Sequence, residues 1–153
     1  MIIEEMKKAD APSIAAIERA CFASPWTRQG IEEEADNPSS HFLKATDEET
    51  GVTAGYIGVQ EICGEAYITN IAVLPEFRGR GTGRQLLIAA CEGAKERNCS
   101  FITLEVRVSN LPAISLYESC GFKEAGRRKN FYRSPDEDGL IYTLFFGREG
   151  ENG

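Results

Sequence analysis

Arg78-Gly79-Arg80-Gly81-Thr82-Gly83-Arg84 is the stretch that decides how the rest of this chain is read. It follows a strand-like apolar run, Ile68 to Val73, and opens a helix-like one, Gln85 to Arg97. Glycine alone takes up positive φ at little cost, so glycines at alternate positions let the backbone curl with its amides inward. The helix that follows aims its unpaired N–H groups and the positive end of its dipole at the same spot. Arg78, Arg80 and Arg84 add positive charge. Together these features predict a cradle for a polyphosphate. A P-loop ends in Gly-Lys-Ser/Thr, which supplies an ammonium and a magnesium-binding hydroxyl. Here the corresponding residues are Gly83-Arg84-Gln85, which argues against an NTPase. A dinucleotide fingerprint spaces its glycines G-x-G-x-x-G, and the third glycine here comes one residue early.

Upstream of the loop, Ile2 to Met6 reads as a short edge strand. Asp10 precedes Ala11-Pro12 and an apolar pattern at Ile14, Ile17 and Cys21, the marks of a capped helix. Ser24-Pro25-Trp26-Thr27 breaks it, and Thr27 caps a second helix to about Ala35. His41 to Thr46 and Ala54 to Ile62 read as strands, and Cys63-Gly64-Glu65 as a hairpin turn into Ala66 to Leu74. Downstream, Asn98 ends the helix that follows the loop. Phe101 to Val108 alternates, with Ile102, Leu104 and Val106 on one face and Thr103, Glu105 and Arg107 on the other. Asn110 to Ser119 is a short helix with proline in its first turn, and Phe122 to Gly126 and Leu140 to Phe146 are the last strands. The order β-α-α-β-β-β-α-β-α-β-β predicts an α+β (mixed α/β) domain, a mixed sheet flanked by helices. Residues 1–147 form that single domain and 148–153 a frayed C-terminal tail.

Composition narrows the function. A chain of 153 residues with 42% hydrophobic content fits one domain with a sizeable core. A net charge of −7 argues against non-specific nucleic-acid binding and suits a cationic protein or peptide partner. Glu32-Glu33-Glu34 and Asp136-Glu137-Asp138 read as ordinary solvated surface. The expectation is a cytoplasmic location, since no run approaches a membrane span and the N-terminus lacks a signal-peptide layout; a monomer is the accompanying expectation. The five cysteines form no C-x-x-C pair, and His41 is the single histidine, so no metal site is expected.

The loop, written Arg78-x-x-Gly81-x-Gly83, resembles the acetyl-CoA pyrophosphate loop of GNAT-type N-acetyltransferases, and the element order resembles the GNAT fold along essentially the whole chain. Leu104-Glu105-Val106-Arg107-Val108-Ser109-Asn110 and Leu116-Tyr117-Glu118-Ser119-Cys120-Gly121-Phe122 resemble segments of the RimI-type N-terminal acetyltransferases within that family. The resemblance implies acetyl-CoA as cosubstrate, held by Arg78, Gly79, Arg80, Gly81, Thr82, Gly83 and Arg84 at the pyrophosphate. It also implies backbone bonds from Ile71, Ala72 and Val73 to the pantetheine arm, and a contact from Asn110. Pro25-Trp26-Thr27 and Arg127-Arg128-Lys129-Asn130-Phe131-Tyr132 resemble the two loops that flank the peptide groove in these enzymes, so Trp26 and Tyr132 are expected as groove walls. Phe131, where the pattern has tyrosine, and Gly139 after Glu137-Asp138 depart from it.

Acetyl transfer from a thioester to an amine needs a polarised carbonyl, a neutral amine and a stabilised leaving thiolate. Glu105 is the candidate base: burial beside a cofactor raises a carboxyl pKa toward neutrality. A solvated or salt-bridged strand glutamate is its alternative reading. Tyr117 is the candidate acid, with an ordinary pKa of about 10, near that of a thiol; an amphipathic tyrosine packing at a helix end is its alternative. The family implication is acetylation of the N-terminal alanine of small-subunit ribosomal protein number eighteen, a basic protein partner. A lysine or small-molecule amine acetyltransferase, or a non-catalytic acyl-CoA-binding module, are the rival readings.

Overall fold

A computed structural model describes residues 1–147, so the expected tail lies outside the described residues. The elements in chain order are β1 (Ile2–Glu5), α1 (Ala11–Cys21), α2 (Arg28–Asp36), β2 (Leu43–Thr46), β3 (Thr53–Ile62), β4 (Glu65–Val73), α3 (Thr82–Glu96), β5 (Phe101–Arg107), α4 (Leu111–Ser119), β6 (Lys123–Tyr132) and β7 (Glu137–Phe145). Short 3-10 turns at Lys8–Asp10 and Pro75–Phe77 precede α1 and the glycine loop. The strands form one sheet in the order β1-β2-β3-β4-β5-β7-β6. Only β4 and β5 run parallel, and α3 makes the crossover between them. All other pairs are antiparallel.

Local chemistry explains most boundaries. The Thr27 hydroxyl accepts from Gly30 N and starts α2, and Asn110 Oδ1 accepts from Ala113 N and starts α4. Asn98, at φ 65, turns the chain out of α3. Cys63 and Gly64, both at positive φ, make the tight β3–β4 turn. In β5, Ile102, Leu104 and Val106 are buried and alternate with half-buried residues. They pack with Leu86, Leu87, Ala90 and Ala94 of α3 into the larger core cluster. A second cluster covers the opposite face of the sheet, where Ala11, Ile14, Ala15, Ile17 and Ile31 of α1 and α2 meet Phe42, Tyr56 and Ala72.

One irregularity sets up the site. Gly58 pairs with Asn70 but Val59 pairs with Ile68, so Thr69 is an extra residue bulged out of β4. A bulge inverts the side-chain alternation beyond it. Ala66 and Ile68 accordingly face α3, whereas past Thr69 it is Asn70 and Ala72 that face α1, and Ile71 and Val73 that return to the α3 side. Gly58 makes the bulge possible: a Cβ there would lie 2.5 Å from Thr69 Oγ1 and 2.7 Å from the Phe42 ring.

Three expectations need correction. The last two strands are longer than alternation indicates, because Arg127, Arg128 and Tyr132 continue the β6–β7 ladder to Glu137. Asp136-Glu137-Asp138 is not plain solvated surface. Glu137 binds Arg107 and the Ser109 amide, and Asp138 binds Arg127 and the Asn130 amide. These contacts hold both carboxyls below the usual carboxylate range, led by the Ser109 bond at Glu137 and by the Asn130 amide at Asp138. Glu34 likewise accepts from Ser40 and Gln60.

Candidate active site

The centre of the sheet is split. β4 and β5 pair only through Glu65, Ala66 and Tyr67 on one strand and Phe101, Ile102 and Thr103 on the other. Beyond those rows the strands diverge, and among the described residues the β4 edge from Ile68 to Val73 has no strand beside it on the β5 side. A cavity of about 420 Å³ opens at the end of that cleft. Its walls are Ile71, Ala72 and Val73 of β4, Phe77, Arg78, Gly79, Gly81, Thr82 and Gly83 of the loop, Pro112, Ala113, Leu116 and Tyr117 of α4, and Cys21 and Phe22 at the end of α1.

Two of the three loop glycines take the positive φ expected from the sequence, and Gly83 does not. Gly79 and Gly81 have φ of +79 and +77, and neither has an atom within 4 Å of where a Cβ would stand. Glycine is needed at both for the backbone conformation and not for space. Gly81 is the N-cap of α3 and offers no side-chain cap, so the amides of the first helical turn are left for a ligand. Thr82 Oγ1 is buried at the same place, without a hydrogen-bond partner among the described residues. The three arginines are each anchored. Arg78 Nε donates to Val73 O at 3.0 Å, Arg80 donates to Glu76 O and stacks on Phe77, and Arg84 donates to Ser119 Oγ at 2.6 Å. A narrow apolar cleft that ends in open amides and Arg78 fits a thin pantetheine-like arm with an anionic diphosphate. Among the described residues no group of three or more His, Cys, Asp or Glu is arranged to hold a metal ion.

Tyr117 is 5% exposed and lies on the cavity wall. Burial, with a smaller contribution from Tyr132, pushes its hydroxyl up to about 12. That corrects the expectation of an acid near 10. Glu105 departs further. Its side chain is 32% exposed, and Arg128 Nε stands 3.3 Å from the carboxylate, the salt-bridged arrangement of its alternative reading. Tyr132 is half-buried under the Arg107 guanidinium, 4.6 Å from its ring. Burial and then Glu105 push Tyr132 up to about 12 against the pull of Arg107. Tyr132 is thus an electrostatic neighbour of both Glu105 and Tyr117. Glu105, Tyr132, Arg80, Arg84, Asn110 and Trp26 stand outside the cavity wall itself.

Trp26 packs on Phe42, ring centroids 6.0 Å apart, and its amide donates to the Glu18 carboxylate. Glu18, 1% exposed, also accepts from Tyr56 and Asn70. It ties the Trp26 loop to β3 and β4. Nothing in the sequence marked Glu18 as buried except its place between Ile17 and Cys21 on the apolar side of α1. Cys21, Phe22, Phe77 and Leu116 were also unmarked, since an apolar residue reads alike on a cavity wall and in a core. A Cβ at Gly139 would meet the Phe131 and Tyr132 rings at 3.2 Å, which accounts for glycine there; nothing in the structure explains phenylalanine in place of tyrosine at 131.

Comparisons with known proteins agree with this geometry. The acetyltransferase (GNAT) family pattern matches residues 11–122. The chain is 41% identical to a Bacillus subtilis (strain 168) protein over 140 residues, 91% of each chain, whose name gives it, provisionally, [ribosomal protein bS18]-alanine N-acetyltransferase activity. It is 35% identical to the [ribosomal protein bS18]-alanine N-acetyltransferase of Escherichia coli (strain K12) over 144 residues, 93% of this chain and 95% of that one. The crystal structure of the ribosomal-protein-S18-alanine N-acetyltransferase from Escherichia coli superposes with a TM-score of 0.89 at 33% identity, covering 99% of this chain and 97% of that one. With a split mixed sheet, a glycine loop opening α3 and these relatives, the chain belongs to the GNAT acetyltransferase family, among its RimI-type members.

Proposed function

We propose that this enzyme transfers an acetyl group from acetyl-CoA to the α-amine of a protein N-terminus, the N-terminal alanine of ribosomal protein bS18. The reading rests on one observation: the cavity joins the open amides of α3 to the free edge of β4 and the Tyr117 hydroxyl, in a chain with bS18-alanine acetyltransferases as relatives. A ribosomal protein acceptor puts the reaction in the cytoplasm, and a basic one suits a chain of net charge −7.

Acetyl-CoA supplies a thioester that the amine attacks directly, without a covalent enzyme intermediate. The first-turn amides of α3, with Gly79, Gly81 and Arg78, take the diphosphate, and Arg80, Arg84 and Asn110 support its rim. The backbone of Ile71, Ala72 and Val73 aligns the pantetheine arm. The Val73 carbonyl already accepts from Cys21 Sγ and Arg78 Nε, which leaves Ile71 and Ala72 the larger share. Glu105 takes the proton of the acceptor ammonium. An α-ammonium at about 7.7 to 8.0 gives it up far more easily than a lysine at about 10.4. Tyr117, held protonated at about 12, serves as a hydrogen-bond donor to the sulfur as charge develops there. Trp26 and Tyr132 bound the acceptor groove.

The test is steady-state acetylation of a peptide beginning with the bS18 N-terminal alanine. Glu105→Gln is expected to lower kcat on the order of 10²-fold or more. Tyr117→Phe is expected to lower kcat while leaving acetyl-CoA affinity within about twofold. Turnover of lysine side chains or small amines with none of this peptide would overturn the acceptor assignment. Equal loss of affinity and turnover in Tyr117→Phe would favour a binding-only role.

A further inference from the structure

We propose that Arg128 is a stand-in for the acceptor: its guanidinium rests against the Glu105 carboxylate where the substrate ammonium must come, so acceptor entry is an exchange of one cation for another. The inference rests on Glu105 receiving the acceptor amine, and it adds a residue that sets acceptor affinity.

The placement follows from strand register. Arg107 and Arg128 both pair with Gly139 of β7, one from each side. Directly paired residues share a face of the sheet, and Glu105, two residues before Arg107, is on that face too. Gly139 has no side chain to stand between them, so Arg128 reaches across the middle strand to Glu105. Its partners differ from those of its neighbours. Arg107 donates to Pro135 O, Arg133 O and Glu137, and covers Tyr132. Arg127 is bound to Asp138 at 2.7 Å. Arg128 makes one contact to Glu105 through Nε at 3.3 Å, without the paired hydrogen bonds of a two-pronged arginine–carboxylate bridge, and its side chain is 55% exposed. It lies at the same time over the Phe131 ring at 5.5 Å, a contact that does not depend on the carboxylate and can keep the guanidinium when the carboxylate takes another cation. A loosely held, exposed cation with an aromatic face beside it is built to yield.

The step is a displacement: the acceptor's ammonium replaces the guanidinium at Glu105, no bond is made or broken, and the net charge of the carboxylate pair is unchanged. Arg128 is thus a positioning residue and not a catalytic one. The experiment compares Arg128→Gln, Arg128→Lys and Glu105→Gln, with a peptide acceptor and with the same peptide lacking its N-terminal amino group as an inhibitor. Removing the competing cation in Arg128→Gln is expected to lower the acceptor KM about two- to fivefold, the scale of an exposed ion pair. Arg128→Lys, which keeps a cation, is expected to stay near wild type. The inhibition constant of the desamino peptide, which brings no cation, is expected to be the same in wild type and Arg128→Gln. In the Glu105→Gln background, Arg128→Gln is expected to have no further effect. An acceptor KM that is unchanged or raised in Arg128→Gln, or a desamino peptide that gains as much as the parent, overturns the exchange. If Glu105→Gln keeps wild-type kcat, the base assignment is what fails. If Glu105→Gln loses turnover while Arg128→Gln leaves KM unmoved, only the exchange fails. Arg128→Met is a second neutral variant should the glutamine disturb folding.

Discussion

Replacing Gly81 by alanine is the sharpest probe of the glycine loop. Gly81 stands at φ 77 and ψ 10 as the N-cap of α3, and a Cβ there would meet nothing within 4 Å. The cost is therefore purely conformational, about 1–2 kcal/mol for an L-residue held left-handed. For a domain of this size, 1 kcal/mol moves the thermal midpoint by roughly 2–4 °C, so Gly81→Ala is expected to lower Tm by about 2–8 °C. The chain can relieve the strain only by turning residue 81 out of the left-handed region. That swings the first-turn amides of α3 away from the cavity and raises the acetyl-CoA KM. Gly83, two residues on, provides the contrast. It lies outside the left-handed region, and its added Cβ would sit 3.7 Å from Leu116, an ordinary contact. Alanine at 83 is expected to stabilise by about 0.4–1 kcal/mol through the unfolded chain, so the contrast between the two variants is one of stability. Asparagine, which tolerates the left-handed region better than alanine, should fall between wild type and alanine at 81. Thermal denaturation with and without acetyl-CoA, together with thiol-release kinetics, reads both effects. Wild-type stability and wild-type acetyl-CoA KM in Gly81→Ala would refute the reasoning, as would equal damage from Gly83→Ala.

Gly58→Ala forces a Cβ to 2.5 Å from Thr69 Oγ1 and 2.7 Å from Phe42, and urea denaturation is expected to show a loss of about 1–3 kcal/mol; a neutral result would mean the bulge can move. Glu18→Gln leaves one carboxamide oxygen for the donors Tyr56 OH at 2.5 Å, Trp26 N at 2.9 Å and Asn70 Nδ2 at 3.4 Å. It should cost about 1–3 kcal/mol and raise the acceptor KM more than the acetyl-CoA KM. Tyr117, raised by burial from 10.0 to about 12, contributes stability that is fully present below pH 10 and lost as pH climbs toward 12. The loss amounts to about 3 kcal/mol in total. Tyr117→Phe should therefore flatten the alkaline fall in urea stability between pH 10 and 12, and curves parallel to wild type would contradict the buried phenol.

What the sequence disclosed and what it withheld divide by range. The glycine loop was legible because its chemistry is backbone chemistry contained in seven residues, and the caps at Thr27 and Asn110 act on amides three residues away. The alternation of β5 placed Glu105 on the correct face for the same local reason. The Thr69 bulge left no compositional mark, since an extra residue in a strand looks like any other strand residue. Yet it decides that Asn70 and Ala72, not Ile71 and Val73, face α1. The split between β4 and β5 was equally silent, because it is an absence of pairing between segments that helix α3 separates in the chain.

The candidate base shows why the acceptor side is the harder half to read. Whether Glu105 is a buried acid or a salt-bridged one depends on three strands at once: it pairs with Ile141, while Arg128 and Arg107 flank Gly139 two residues away on the same middle strand. Slipping β6 by one residue against β7 would turn Arg128 to the opposite face of the sheet, and a Cβ at 139 would press on the Phe131 and Tyr132 rings at 3.2 Å. The proposed cosubstrate end of the site is thus written in a short continuous segment, whereas the environment of the proposed acceptor amine is a product of register between β5, β7 and β6.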